Sequence, residues 1–249
     1  MAEINELDDP KTTIERADML KNKKVLFKLY TDWYNFLLKK VDDSPEGKIL
    51  EIGSGGGFLK ELLPEVITSD VMDLPNVDMI FSAEKIPLED NSLSCIFMVD
   101  VLHHIPDCTQ FFAEAERCLV PGGKIIMSEP ASTPFSRFFY KRFHHEPFVP
   151  EAGWKLDTEG GPLSNANGAI PSIVFRRDID KFHSTYKTLK LETLKFHSPF
   201  MYFLSGGFSY PSLIPSFMYG FFRFVEKLFL PTYSLIAMFQ LIEVKKTSK

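Results

Sequence analysis

Lys48-Ile49-Leu50-Glu51-Ile52-Gly53-Ser54-Gly55-Gly56-Gly57-Phe58-Leu59 decides how the rest of the chain is read. An apolar run ends in an acid, glycines follow on alternate positions, and a leucine-bearing helical pattern opens. The order predicts a buried strand, a tight turn and a helix start. Glycines at 53, 55 and 57 permit positive φ and leave no side chain to obstruct a ligand. Such a turn presents backbone N–H groups and the positive end of a helix to whatever lies in front of it.

A dinucleotide-binding turn needs G-x-G-x-x-G. Counted from Gly53 the third glycine falls at Phe58, and counted from Gly55 it falls at Lys60, so both counts fail. Working outward, a second strand spans Glu65 to Ser69 and ends in Asp70, an acid placed to accept both hydroxyls of a ribose. A third strand, Val77 to Phe81, starts soon after Pro75. A helical crossover takes about a dozen residues, so a loop crossover is predicted here. Residues 82–93 lead into a fourth strand, Cys95 to Val99, which ends in Asp100 and the pair His103-His104. Asp107 suits the N-cap of a helix over Thr109 to Leu119, with Phe111, Phe112, Ala115 and Leu119 as its apolar stripe. Pro121-Gly122-Gly123 is expected to stop that helix, and Lys124 to Glu129 is read as the fifth strand.

In this order the segments resemble the class I S-adenosylmethionine-dependent methyltransferases. Glu51 to Gly57 is similar to their acid-x-G-x-G-x-G motif. Asp70, the segment from Ser82, the strand ending at Asp100 and Leu119-Val120-Pro121-Gly122-Gly123 are similar to the marks that follow it. Ser82 stands where an aspartate is usual. The resemblance implies an α/β fold: a Rossmann-like, doubly wound, seven-stranded, mostly parallel sheet with an antiparallel last strand. It implies one domain over 1–249, with a helical cap (1–44), a cofactor-binding core (45–131), an acceptor-side insertion (132–187) and the last two strands with an apolar insertion (188–249). The implied cofactor is S-adenosyl-L-methionine. Glu51, Gly53, Ser54, Gly55 and Gly57 would hold its methionine part and Asp70 its ribose. Ser82 and Ala83 would line the adenine site, and Asp100 would lie near the sulfonium. His103 and His104 are the catalytic candidates as acceptor-side base; the alternative is that both only cap the next helix. His144, His145 and Glu129 are lesser candidates.

Bulk composition bounds the reading. The chain has 249 residues, 45% hydrophobic and 24% charged, with net charge −5 from 28 basic and 33 acidic residues. That balance argues against a general nucleic-acid-binding surface. Cys95, Cys108 and Cys118 lack C-x-x-C spacing, which suits buried thiols in a reduced, cytoplasmic setting. No histidine–carboxylate set has metal-ligand spacing, so no metal is expected. The acidic N-terminus lacks the apolar core of a secretory signal, and residues 1–9 read as disordered. From Pro10 to Val41 the pattern is helical, as a cap over the cleft or as plain packing on the sheet.

Phenylalanine is abundant, 24 in all, and concentrated after residue 134. Residues 134–145 form a basic, aromatic amphipathic segment, 147–172 a long loop, and Phe175 to Tyr186 a helix. Leu189 to Phe196 and Phe239 to Val244 read as the antiparallel closing strands. Ser198 to Phe222 carries no charge over twenty-five residues, long enough to span a bilayer. Its prolines and glycines would leave backbone groups unpaired in lipid, so a buried or greasy surface insertion is expected. The function read from all this is methyl transfer to a small-molecule acceptor, with sugars and lipid-linked molecules as candidates. Arg137, Lys141 and Arg142 suit an anionic group at the inner face of a membrane; the alternative is a solvated charged face over an ordinary core. A non-catalytic, cofactor-binding module is the rival function. The sequence does not set an oligomeric state.

Overall fold

The computed structural model describes residues 7–41, 44–144, 146–156 and 160–248. Two helices, α1 (Pro10–Asn22) and α2 (Lys24–Leu38), open the chain in place of one continuous helix. Asp9 caps α1 by accepting a hydrogen bond from the Lys11 N–H at 2.8 Å. At Lys23 the backbone leaves the helical region (φ −84°, ψ 85°), and its ammonium donates to the carbonyls of Gly207 and Tyr210. That long-range anchor accounts for the break. The disorder expected over 1–9 falls partly on residues 1–6, which lie outside the described residues; Asp8 and Asp9 are ordered and bonded.

The core runs β1 (Lys48–Ile52), α3 (Leu59–Leu62), β2 (Ile67–Asp70), β3 (Met79–Ile80), β4 (Leu93–Val99), α4 (Cys108–Cys118) and β5 (Leu119–Pro130). Residues 71–78 contain no helix, so β2 crosses to β3 by a loop. Asp78 braces that loop by accepting from the Thr68 N–H (2.9 Å) and hydroxyl (3.0 Å). Helix α4 begins as expected, with Asp107 accepting from the Thr109 N–H at 2.8 Å. It stops earlier, at Cys118, because Leu119 already pairs with Leu93 in the sheet. Pro121-Gly122-Gly123 therefore lies inside β5, where a register shift and Gly122 at φ 86° absorb the irregularity.

Beyond β5 come α5 (Pro134–Phe143), a π-helical stretch Ile173–Arg177, α6 (Ile179–Thr185), β6 (Leu189–His197), α7 (Met201–Ser205), α8 (Tyr219–Leu228), α9 (Tyr233–Ile236) and β7 (Phe239–Lys246). The helix expected over Phe175 to Tyr186 is thus a π-turn and a short α-helix meeting at Asp178. The seven strands lie in the order β3-β2-β1-β4-β5-β7-β6, all parallel except β7, which is antiparallel to both neighbours. Apolar strands such as β4, buried almost throughout, are what a sheet covered on both faces demands. Phe97, Phe111, Phe112, Phe175 and Phe182 are fully buried, and Phe112 packs edge-on against Phe175 and Phe182. All three cysteines are free and buried, and burial pushes the Cys95 and Cys108 thiols well up. Among the described residues, no helix is long and apolar enough to cross a membrane.

Candidate active site

Where β1, β2 and β4 end, the sheet opens a cleft of about 1360 Å³. The strand ends form its floor, and α1, the 160–163 loop and the aromatic segments after Pro134 form its walls. Glu51, Gly53, Ser54, Gly55, Gly57, Asp70, Ser82, Ala83 and Asp100 all line it. Residues scattered over fifty positions in sequence therefore meet at one place, because parallel strands carry their C-terminal ends to the same edge.

The glycines differ in what holds them. A Cβ at Gly53 (φ 66°) would lie 2.6 Å from Val101, one at Gly56 would lie 2.9 Å from the Ala17 backbone, and one at Gly57 would strike the Tyr34 hydroxyl. Packing alone explains these three. At Gly55 (φ 44°) the nearest atoms to an added Cβ are the Gly53 carbonyl oxygen and Thr13 at 3.7 Å and Asp70 Oδ2 at 3.8 Å. Those are ordinary contacts, so the positive φ, and no clash, favours glycine at 55, and the residue lines the cleft.

Asp70 is buried and its carboxylate is held on both sides: Oδ2 accepts from the Gly55 N–H and Oδ1 from the Met72 N–H, each at 3.0 Å. Burial raises its pKa, and these hydrogen bonds offset part of the rise. Glu51 is deeper. Burial pushes it from 4.5 to about 7, against hydrogen bonds from Ser54 and Tyr34, whose hydroxyl lies 3.5 Å from Oε1. Ser82 donates to Glu84 Oε2 at 3.0 Å, so the carboxylate that the sequence lacks at 82 enters the cleft two residues on, at Glu84.

Asp100 stands at the end of β4 with φ 63°. Glu129 fixes this turn: its Oε1 accepts from the N–H groups of Val101 (2.9 Å) and Leu102 (2.8 Å), and its Oε2 accepts from His103 Nδ1 at 2.9 Å. Fully buried and so engaged, Glu129 does not line the cleft. Burial also pushes Asp100 to about 7, with Glu146 and Glu129 adding repulsion and His103 opposing it.

The two histidines part company. His103 is buried and is absent from the cleft lining. Its Nε2 lies 3.3 Å from Glu146 Oε2 and 4.0 Å from Asp100 Oδ1. Burial disfavours its charge, but Glu129 and Glu146 outweigh that and hold its pKa well above the ordinary value. Its burial outside the cleft lining sets it apart from His104, its fellow candidate as a base. His104 does line the cleft. Burial and the neighbouring His103 charge bring it down to about 4. Its Nδ1 donates to the Asn165 carbonyl at 3.2 Å, leaving Nε2 with a free lone pair 3.7 Å from Glu146 Oε1.

Glu146, missed in the sequence, is the hub of this cluster. Burial would raise its pKa, yet His103, His104 and His144, whose Nδ1 is 3.7 Å away, hold it far below the carboxylate range. His145 lies outside the described residues. The fold also gathers two histidine–carboxylate sets that sequence spacing did not reveal: Asp100, His103 and Glu129, and His103, His104 and Glu146, with ligand-type atoms within 4.8 Å. Both sets share His103, whose two nitrogens are committed as donors between carboxylates. A metal held by either set would have to displace those ring protons.

Residues 50–127 match the family described as a methyltransferase domain. The chain is 27% identical over 222 residues to the ubiquinone/menaquinone biosynthesis C-methyltransferase of Geotalea daltonii, covering 78% of this chain and 90% of that protein. It is 35% identical over 88 residues to a protein of transposon TN4556 in Streptomyces fradiae, where the match covers 35% of this chain and spans only 24% of the relative's length. Among solved structures, geranyl diphosphate C-methyltransferase from Streptomyces coelicolor A3(2), in complex with Mg²⁺, geranyl-S-thiolodiphosphate and S-adenosyl-L-homocysteine, shares the fold. It matches with a TM-score of 0.57 at 14% identity, over 89% of this chain and 78% of that one. Sheet order and glycine turn agree with the Rossmann-like fold of that structure, and residues 50–127 carry the match to a methyltransferase domain. The family match falls on β1 to β5, five of the seven strands, which include those that build the cleft floor.

Proposed function

We propose that the chain transfers a methyl group from S-adenosyl-L-methionine to a small, largely apolar acceptor bound in the same cleft. The observation that carries this is the glycine turn lining the cleft beside Asp70, a buried carboxylate at the tip of the neighbouring strand. When bound, the cofactor supplies a methyl group already activated on a sulfonium. The chain's own residues then have three tasks: to bind, to orient and to keep water out.

Glu51 and the turn from Gly53 to Gly57 hold the methionine end, with the Glu51 carboxylate as the partner for a cationic amine. Asp70 has lone pairs left on both oxygens and accepts from the ribose hydroxyls. Ser82, Ala83 and Glu84 face the adenine, with Glu84 as the acceptor for its amino group. Asp100 places negative charge near the sulfonium. On the acceptor side, Phe135, Phe139, Phe143 and Phe203 offer apolar walls. His104 Nε2 takes the acceptor's proton, while Glu129 and His103 position the Glu146 carboxylate against it. The Geotalea relative and the Streptomyces neighbour are C-methyltransferases by name, which supports a carbon acceptor on an apolar molecule.

Calorimetry with S-adenosyl-L-methionine, followed by release of S-adenosylhomocysteine across quinones, prenyl diphosphates and glycans, tests the reading. Failure to bind the donor at millimolar excess defeats it. Tight donor binding with no turnover on any acceptor favours a non-catalytic, cofactor-binding module.

A further inference from the structure

Helix α8 is turned inside out. On a soluble helix the charged face meets water and the apolar stripe meets the core. Here Phe217 (83% exposed), in the turn before the helix, and Phe221 (58%), Phe224 (61%) and Leu228 (64%) within it fall on one outward stripe. Tyr219, Arg223 and Glu226 are instead engaged on the inner side, and Lys227 alone of its polar side chains is exposed. Glu226 is fully buried, accepting from the N–H groups of Phe200 and Met201 at 2.9 Å and pairing with Arg223. Arg223 also bonds Asp32 at 3.1 Å, and the Tyr219 hydroxyl donates to the same carboxylate at 2.7 Å. Core packing leaves that stripe unused, so its exposure is not a by-product of a helix that needed to be greasy.

The stripe does not stand alone. Leu230 and Leu235 extend it, while Leu213, Tyr210 and Phe203 carry it to the mouth of the cleft. Helix α5 continues the same surface with exposed Phe138 and Phe143, joined to it through Phe139 packed edge-on against Phe203 at 5.8 Å. Tyr140 and Thr133 fasten α5 to the end of the apolar segment by donating to the carbonyls of Met238 (2.6 Å) and Ala237 (2.9 Å). Charge on this surface has one sign. Over 132–144 and 198–238 the only acid is the buried Glu226, whereas Arg137, Lys141, Arg142 and Lys227 are all exposed. Aromatic side chains flanked by cations, with the half-exposed Asp32 behind α8 paired to Arg223, match the boundary of an anionic bilayer. A protein partner would be expected to meet acids as well as bases across so broad a rim.

We propose that the face built by α5, α8 and the turns around them seats the protein on an anionic membrane surface, with the cleft mouth opening onto the lipid. The stripe enters the headgroup boundary, and Lys141, Arg142 and Lys227 lie level with the phosphates. An apolar acceptor then reaches the cleft from the bilayer without crossing water. The seating rests on the surface alone and stands whatever the acceptor proves to be.

Flotation of the full chain with vesicles of phosphatidylcholine, or of phosphatidylcholine with a quarter phosphatidylglycerol, tests this. Binding is expected to the anionic vesicles and to weaken as salt is raised. Phe221→Ser with Phe224→Ser is expected to lower partition by about tenfold or more. Lys141→Glu and Arg142→Glu each lower it by at least about fivefold, the equivalent of about 1 kcal/mol per charge. Calorimetric binding of S-adenosyl-L-methionine stays unchanged in these variants, which shows that they fold and separates this test from that of the enzyme reading. Absence of flotation, equal flotation with both vesicles, or flotation unaffected by the phenylalanine changes overturns the proposal. So does sedimentation equilibrium showing a dimer that Phe221→Ser dissolves, since a second copy would then be what covers the face.

Discussion

Glu51→Gln separates the stability of the cleft from its affinity for the cofactor. Burial lifts this carboxyl from 4.5 to about 7. An acid whose folded pKa lies above its unfolded value loses stability for the fold as pH rises between the two. Below 4.5 the side chain is protonated in both states and the effect vanishes. Above about 7 it is ionised in both, and the penalty is complete. The rise from 4.5 to about 7, at about 1.4 kcal/mol per pH unit, puts that penalty on the order of 3 kcal/mol. Glutamine keeps the shape and the acceptor for the Tyr34 hydroxyl but never ionises. The variant is therefore expected to be more stable than the parent by on the order of 2–3 kcal/mol at pH 8 and equal to it near pH 4.5. Its affinity for S-adenosyl-L-methionine should move the other way, weakening by roughly 10- to 100-fold at pH 8 through loss of a charged hydrogen-bond partner. Urea denaturation at the two pH values and calorimetric titration of the cofactor measure both. A variant equally stable at both pH values, or one that binds the cofactor as well as the parent, refutes the reasoning.

Asp70→Ala should weaken cofactor binding by on the order of 1–3 kcal/mol, and unchanged calorimetric affinity would remove its role at the ribose. His104→Ala should lower kcat roughly 100-fold or more with donor affinity retained, and a parent kcat should fall as pH drops through about 4, where His104 gains its proton. His103→Gln tests the buried pair with Glu146. The folded His103 pKa is raised, so its stabilisation is fully present below about 6.5 and lost as pH rises through the folded value. Glu146 is depressed, so its share is present above 4.5 and lost as pH falls further. The stability gap between parent and His103→Gln, read by thermal denaturation, should therefore be widest between about pH 4.5 and 6.5 and narrow on both sides.

What the sequence made legible was what depends on local pattern. The glycine turn, the acid at each strand tip and the Asp107 cap are short-range features; the structure gathers the glycines and strand-tip acids around one cleft and sets Asp107 on the helix start. Glu146 was invisible for the opposite reason. It sits in an irregular stretch after α5 with no periodicity to mark it, and it matters only because the fold brings it between His103, His104 and His144. Histidine spacing alone likewise could not tell His103 from His104, since the difference is Glu129 arriving from β5. The break at Lys23 and the early start of β5 at Leu119 share that cause. Each is set by a partner far along the chain, Gly207 and Tyr210 in one case and Leu93 in the other, which outweighs the local preference.

Asp8 accepts from the N–H groups of Leu163 and Ser164 at 2.8 and 2.9 Å and from the Ser164 hydroxyl at 2.5 Å. It thereby clasps the front of α1 to the 160–163 loop, and the two together roof the cleft. Trimming the chain to begin at Pro10 would spare every strand and every residue on the floor while unfastening that clasp. Such a shortened protein would show intact circular dichroism and poor donor retention, and an affinity tag fused close to this end would invite the same misreading.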